Sequence, residues 1–311
     1  ASDGSDDSKA IQDAIDDGAE TILLPPGGRW TINRDICLRN RIHRLIGTEG
    51  KIDGKGKFII EDGAFVDITI ERFSTFASGI TNRSKRTAVL KNMYVKSYES
   101  DDFATGDIFL EDVSVGTIRT NFQRLWGRQV TMVGDTKGPK ISNNGGSIWI
   151  LGLTARDGNT VLHNFNKGFA ELLGVNVIAS DKAKNSPMFI NDNSSMSIAG
   201  LKETLTRGNP YSKIVEESRQ GSKVYALKNT DLPHNETGGV MMALYTGYAP
   251  KQGQNEPPKP SMDKEHILVQ PGKLHLQGNV EDDGRGDGLC RVPVAWRKGA
   301  GPGKVSFSDS T

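Results

Sequence analysis

Little in this 311-residue chain points to a disulfide, a membrane span or a charge of one sign. No bridge is expected between its two cysteines, Cys37 and Cys290, which lie far apart and in different domains on the boundaries given below. No apolar run approaches the roughly 20 residues that cross a bilayer, which excludes a helical membrane span. Thirty-nine basic residues against 38 acidic ones leave a formal net charge of +1. That balance removes the bulk electrostatic case for nucleic acid or a membrane surface as partner. No leader peptide heads the chain, which reads as the mature form, or a piece, of a longer secreted or cell-surface protein. Against these absences stand 36 glycines, a supply that suits turn-rich β structure better than helices.

A repeat supplies the architecture. Ile68, Met93, Val113, Val130, Leu153, Val175 and Met196 follow one another at intervals of 25, 20, 17, 23, 22 and 21 residues. Two positions after each comes a second apolar residue: Ile70, Val95, Val115, Met132, Ala155, Val177 and Ile198. Between them stands a polar or hydroxylated one: Thr69, Tyr94, Ser114, Thr131, Thr154, Asn176 and Ser197. An apolar–polar–apolar triplet is a half-buried strand. Seven triplets at intervals of about twenty residues predict one strand per turn of a stacked solenoid, an all-β parallel β-helix. Ahead of the repeat, Asp6-Asp7-Ser8 opens a short helix with an apolar stripe of Ala10, Ile11, Ala14 and Ile15, stopped at Gly18. Such a helix is suited to cover the open end of the solenoid. A buried strand, Thr21 to Leu24, is expected after it.

At these residues the chain resembles a known family. The segment DGSDDSKAIQDAIDDGAETILLPPG is similar to the entry segment of pectate-lyase-superfamily proteins related to polygalacturonases, rhamnogalacturonases and phage tailspikes. DIFLEDVSVG, NNGGSIWILGLTARDGNTVLHNFNKGFAELLGVNV and GGVMMALYTGY resemble a bacterial branch of that group. The resemblance covers residues 2 to 248 and implies a right-handed parallel β-helix over residues 1 to 249. It also implies a secreted bacterial protein whose partner is a polysaccharide, uronate-rich among the options; the tailspike relatives imply an oligomer. Two activities stay open: a lyase or glycoside hydrolase, and a non-catalytic glycan-binding or structural module of a larger surface protein. The polygalacturonase motifs run Asn-x-Asp, Asp-Asp, Gly-His-Gly and Arg-x-Lys. Here no histidine is flanked by glycines, and Asn33-Arg34-Asp35 and Arg83-Ser84-Lys85 both precede Asp101-Asp102. No hydrolase mechanism carries over.

Residues 250 to 263, broken by Pro250, Pro257, Pro258 and Pro260, read as a linker. Alternation returns over residues 264 to 311. There KLHLQGNVEDDGRGDG and VAWRKGAGPGKVSFSDS resemble the first half of an immunoglobulin-like domain of the polycystic-kidney-disease type. A sandwich of that kind needs about seven strands, so a truncated β-sandwich is expected.

The repeat also aligns side chains that stand on neighbouring turns. Four residues before the anchors come Val89, Phe109, Trp126, Trp149 and Glu171. Phe109, Trp126 and Trp149 are candidate substrate-binding residues, since flat aromatic faces stack on sugar rings. The competing reading is an interior stack that fills the solenoid. Two residues before the anchors, Lys91, Glu111 and Arg128 alternate in sign, as in a stabilising charge ladder. Glycoside hydrolysis requires two carboxyl groups within about 5 to 10 Å, and neighbouring turns are about 4.8 Å apart. No column gathers acids on adjacent turns; Glu171, with Asp112 as partner, is the pair to examine for catalysis. Glu99, Asp101, Asp102 and Asp107 cluster in a loop, where Asp101 and Asp102 are candidate calcium ligands and a solvated turn is the alternative. Asp282, Asp283 and Asp287 offer a second acidic loop of the same ambiguity.

Overall fold

A strand with alternating side chains has only one face to bury, so a turn of such strands is stable only when it encloses a core and stacks on its neighbours. The computed structural model describes residues 5–134, 136–179, 186–206, 209–219 and 222–247, with the short stretches 276–277 and 304–305 beyond them. The chain divides into two units, Ala1–Asp263 and Lys264–Thr311. The first is a β-solenoid of about 9 turns with a short N-terminal helix. Each turn, or rung, supplies three strand segments, so three parallel sheets enclose the core; they are called here the first, second and third faces. The single strand Ile108–Asn121 shows the plan. Residues 108–111 pair in the first face, 113–115 in the second, and 117–121 continue into the third.

Inward side chains stack in columns. Ile68, Ala88, Ile108, Leu125, Ile148, Ala170 and Met196 align on the first face. Met93, Val113, Val130, Leu153, Val175 and Leu201 align on the second. Phe58, Ile80, Tyr98, Ile118, Ile141, Leu162, Phe189 and Val215 align on the third. All of these are buried. Five of the seven anchors read from the sequence therefore share one column, whereas Ile68 and Met196 belong to the first face. The same triplet occurs on both faces, so periodicity alone does not distinguish them.

Two kinds of corner hold the rungs in register. Between the first and second faces the chain turns on one residue of positive φ: Asn92 (46°), Asp112 (52°), Gln129 (55°), Gly152 (79°), Gly174 (69°) and Gly200 (69°). Glycine enters this region freely, and Asn and Asp more readily than most residues. From the third face back to the first, buried side chains satisfy the backbone that the turn leaves unpaired. Asn143 Nδ2 donates to Asn164 Oδ1 (2.8 Å) and to the carbonyl of Phe169 (3.0 Å). Asn164 Nδ2 donates to Asn191 Oδ1 (3.3 Å) and to the carbonyl of Ser195 (2.8 Å). Asn191 continues the ladder to Glu217 (3.0 Å). In the early rungs the buried Arg86 does the same work, donating to the carbonyls of Ile42 (2.5 Å) and Asp67 (2.7 Å).

Both ends are closed. The helix Ser8–Asp16 buries Ile11 and Ile15, and Gln12 exchanges hydrogen bonds with the backbone of Cys37 on the otherwise open edge of the strand Ile36–Asn40. Ala10 is exposed, so the apolar stripe is narrower than the sequence implies. The strand Thr21–Leu23 is likewise not buried: Leu23 is 60% exposed, because the helix covers the third face of the first rung instead. At the far end Ser222–Lys228 and Met241–Gly247 run antiparallel to the last rung. Glu203 pins this closure: its carboxylate oxygens accept the N–H groups of Tyr211 (2.9 Å) and Val240 (3.1 Å). In the second unit Leu276–Gln277 pairs antiparallel with Lys304–Val305. The rest of the expected sandwich, the linker 250–263, Cys290 and the acids Asp282, Asp283 and Asp287 lie outside the described residues.

Two outcomes test this architecture. Val113 is buried in the second-face column, so Val113→Asp should lower the unfolding free energy by several kcal/mol, on the order of 4 kcal/mol, in urea titrations. Ser114→Asp, one residue away and pointing outward, should change it by less than about 0.5 kcal/mol. Burial also pushes the Glu203 carboxyl above the ordinary glutamate range, against the pull of the two N–H donors. A raised folded-state pKa favours the fold at low pH, and that contribution is lost as pH rises through the raised value. The wild-type melting temperature, measured relative to Glu203→Gln, should therefore fall across that window and level off above it. Parallel pH profiles for the two proteins would contradict the assignment.

Candidate functional site

Outward side chains stack as strictly as inward ones, and on the third face their columns leave an open groove. It is lined by Glu99, Arg119, Asn121, Ser142, Asn144 and Phe165, with Ser100 and Thr120 beneath. Register explains the shape. Glu99, Arg119, Ser142 and His163 are successive members of one outward column; Asn121, Asn144 and Phe165 form the next. Short side chains on two rungs are thus bordered by long ones on either side. The floor is fixed before any ligand arrives: Asn144 Nδ2 donates to Asn121 Oδ1 (3.0 Å), Asn166 Nδ2 to Asn144 Oδ1 (3.1 Å), and Asn121 Nδ2 to the carbonyl of Ser100 (2.9 Å). An amide carries two N–H donors and two lone pairs, so each keeps capacity to spare.

Arg119 stands apart from its neighbours. Arg83, Arg124 and Arg128 are each tied to a carboxylate: Asp101 (3.2 Å), Asp107 (2.8 Å) and Glu111. Arg119 donates through Nη1 to Ser142 Oγ (3.0 Å) and has no carboxylate partner among the described residues. Its remaining N–H groups form a fork at the mouth of the groove. On the far wall His163 and Phe165 lie 4.7 Å apart, ring to ring. Burial pushes the His163 imidazole below its ordinary value, with Asp192 opposing, so near neutral pH it serves as an uncharged polar ring.

The residues singled out from sequence fall elsewhere. Phe109, Trp126 and Trp149 are one outward column of the first face, with Ile108, Leu110, Ile148 and Ile150 pointing into the core. They are not interior filling. Neither are they a set of open platforms, because the rings stack on one another. Phe109 and Trp126 lie 5.0 Å apart at 11°, Trp126 and Trp149 5.1 Å apart at 12°. Phe169 tilts against the far side of Trp149 at 5.6 Å. The faces that a sugar ring would cover are turned to the neighbouring rung, and edges point outward. Lys91, Glu111 and Arg128 do form the charge ladder, Lys91 lying 4.0 Å from Glu111 and Arg128 paired with the same carboxylate.

The proposed acid pair does not form. Asp112 occupies the exposed one-residue corner, while Glu171 lies on the first face three rungs further on. Three rungs are about 14 Å, beyond the 5 to 10 Å that glycoside hydrolysis uses. The calcium ligands are dispersed as well. Asp101 engages Arg83 and caps the N–H of Phe103 (3.0 Å), Asp102 is exposed, Glu99 faces Lys57 (3.7 Å) and Asp107 holds Arg124. No group of three or more His, Cys, Asp or Glu side chains among the described residues is arranged to hold a metal ion. No helix among them is long and apolar enough to cross a membrane.

The groove residues escaped the sequence reading, although one signal was present. Asn143-Asn144, Asn164 with Asn166, and Asn191 recur at the rung interval and mark the corner beside the groove. Compared with known proteins, the chain matches no family model, no curated protein and no solved structure.

The self-stacked ladder has a spectroscopic consequence. Indoles 5.1 Å apart and nearly parallel couple excitonically, so Trp126→Ala and Trp149→Ala should each abolish the same circular-dichroism couplet. The stability cost of either should be about 1–2 kcal/mol, the worth of outward aromatic pairs, below the 3–5 kcal/mol of a buried Trp. An unchanged couplet in either variant would contradict the stacking.

Proposed function

We propose that the solenoid is a polysaccharide-binding module of a secreted or cell-surface protein, related to the pectate-lyase superfamily, that holds an acidic glycan in the third-face groove without cleaving it. Arg119 carries this reading: a guanidinium fork with no carboxylate partner of its own among the described residues, set over a floor of pre-organised amides. A sugar offers hydroxyls at its rim and C–H groups on its faces. Planar amides, a serine hydroxyl and an aromatic wall meet those groups, and the fork meets a uronate carboxylate with two parallel hydrogen bonds. Holding rather than cutting is favoured by the acids nearest the groove. Glu99 and Asp101 are each engaged by a cation, whereas protonating a glycosidic oxygen calls for a carboxyl that keeps its proton.

Affinity electrophoresis in gels containing polygalacturonate, alginate or a neutral β-glucan tests the proposal. Retention is expected in the acidic polymers and should weaken with added salt. Arg119→Ala should cost about 1.5–3 kcal/mol of binding, the range for hydrogen bonds to a charged group, with the melting temperature unchanged. Arg119→Lys should restore only part of it, since a point charge lacks the fork. Equal retention of wild type and Arg119→Ala would sink the groove as the site. Release of new reducing or unsaturated ends would replace the binding reading with a catalytic one.

A further inference from the structure

The first face changes character along the solenoid. Its early rungs carry the charged column Glu71, Lys91, Glu111 and Arg128; the same column then continues as Leu151 and Leu173. Leu151 is 57% and Leu173 40% exposed; Leu151 stands beside Trp149 and Leu173 beside Glu171, in the column next to that of Phe109, Trp126 and Trp149. On the second-face side the described corners do not rise above this strip, because each is a single residue, at Asp112, Gln129, Gly152 and Gly174. It is a flat apolar surface, and its aromatic faces are already covered by one another. A second sheet face fits it better than a sugar ring.

We infer that this strip is a two-fold docking surface for a second copy of the chain, with the two solenoids antiparallel. The charges select that partner. Trp126 is flanked on its own strand by Arg124 and Arg128, both outward and more than 60% exposed on the side chain. Two rungs on in the Trp126 column stands Glu171, which has no ion pair or hydrogen bond among the described residues. A two-fold axis lying across the face at Trp149 reverses the order of the rungs and keeps the columns. Trp149 then meets Trp149, Leu151 meets Leu151, and each Leu173 lies against the aliphatic stem of the other copy's Arg128. Each Glu171 faces the other copy's Trp126, between Arg124 and Arg128. Both unmet needs, apolar surface and a lone carboxylate, are answered by one symmetric contact. The strip spans about five rungs, roughly 19 Å from first to last, and covers on the order of a few hundred Å² per copy. That is the size of a weak, concentration-dependent dimer.

Sedimentation velocity of the full chain across a concentration series tests this. The wild type should shift from monomer to dimer. Leu151→Arg with Leu173→Arg should stay monomeric at every concentration, because it sets arginine against arginine at the axis and against the other copy's Arg128, and should nearly keep the wild-type melting temperature, since both side chains point outward. Glu171→Arg should raise the dissociation constant more than about tenfold, while Ser197→Arg, one rung beyond it, should change it far less. A wild type that stays monomeric up to its solubility limit overturns the inference, as does a dimer that survives the double leucine change. A dimer indifferent to Glu171→Arg overturns the antiparallel arrangement. A monomer whose tryptophan emission moves on adding polysaccharide would assign the strip to a glycan instead.

Discussion

Register between neighbouring rungs is the constraint on which the rest of this molecule depends. One rung of three short strands encloses too little to be stable and leaves every backbone edge open. Stacked, the same rung gains two neighbours and a continuous column at each position. A slip of one residue would turn each inward column outward, so the corners must forbid it. They do so by unlike means. A single residue of positive φ turns the first face into the second, and a buried ladder of Asn143, Asn164 and Asn191 returns the third face to the first. Each ladder amide bonds both its neighbour's side chain and a carbonyl of the next rung, so a slipped rung would strand several buried polar groups at once.

The same register shapes the outer surface. Identical positions on successive rungs lie about 4.8 Å apart, so side chains of one kind are brought into contact with each other before they meet any ligand. Aromatics in a column become a stack, opposite charges become a ladder of ion pairs, and amides become a hydrogen-bonded strip. A groove or a patch of different chemistry arises where a column breaks its own pattern. On the third face it breaks at Ser142, where a small side chain lies between Arg119 and His163. On the first face it breaks at Leu151, where the charged column turns apolar, and again at Glu171, where the aromatic column ends in a carboxylate.

Much of this was legible in the sequence. Five anchors fell in one true column, and the offset of four residues found the register that joins Phe109, Trp126, Trp149 and Glu171. Ile68 and Met196 were misplaced because an outward residue between two inward ones looks alike on either side of a one-residue corner. The aromatic column was identified, but the direction of its rings was not, since stacking within a column is a property of three rungs together. Arg119 went unnoticed for a related reason. Its sequence resembles that of the other outward arginines, and its lack of a carboxylate partner among the described residues depends on what lies one rung above and below. The Asp112–Glu171 pairing failed on the same arithmetic, because distance along a solenoid is counted in rungs.

Register is also what one measurement tests most directly. Spin labels at Thr69→Cys and Ser197→Cys, in a chain carrying Cys37→Ser and Cys290→Ser, would sit in one outward column of the first face, six rung steps apart. At about 4.8 Å per step, double electron–electron resonance on labelled chain diluted into an excess of unlabelled protein should return one narrow distribution centred near 29 Å. A broad distribution, or a centre displaced by more than about one rung, would contradict the stacking from which the core, the groove and the apolar strip all derive.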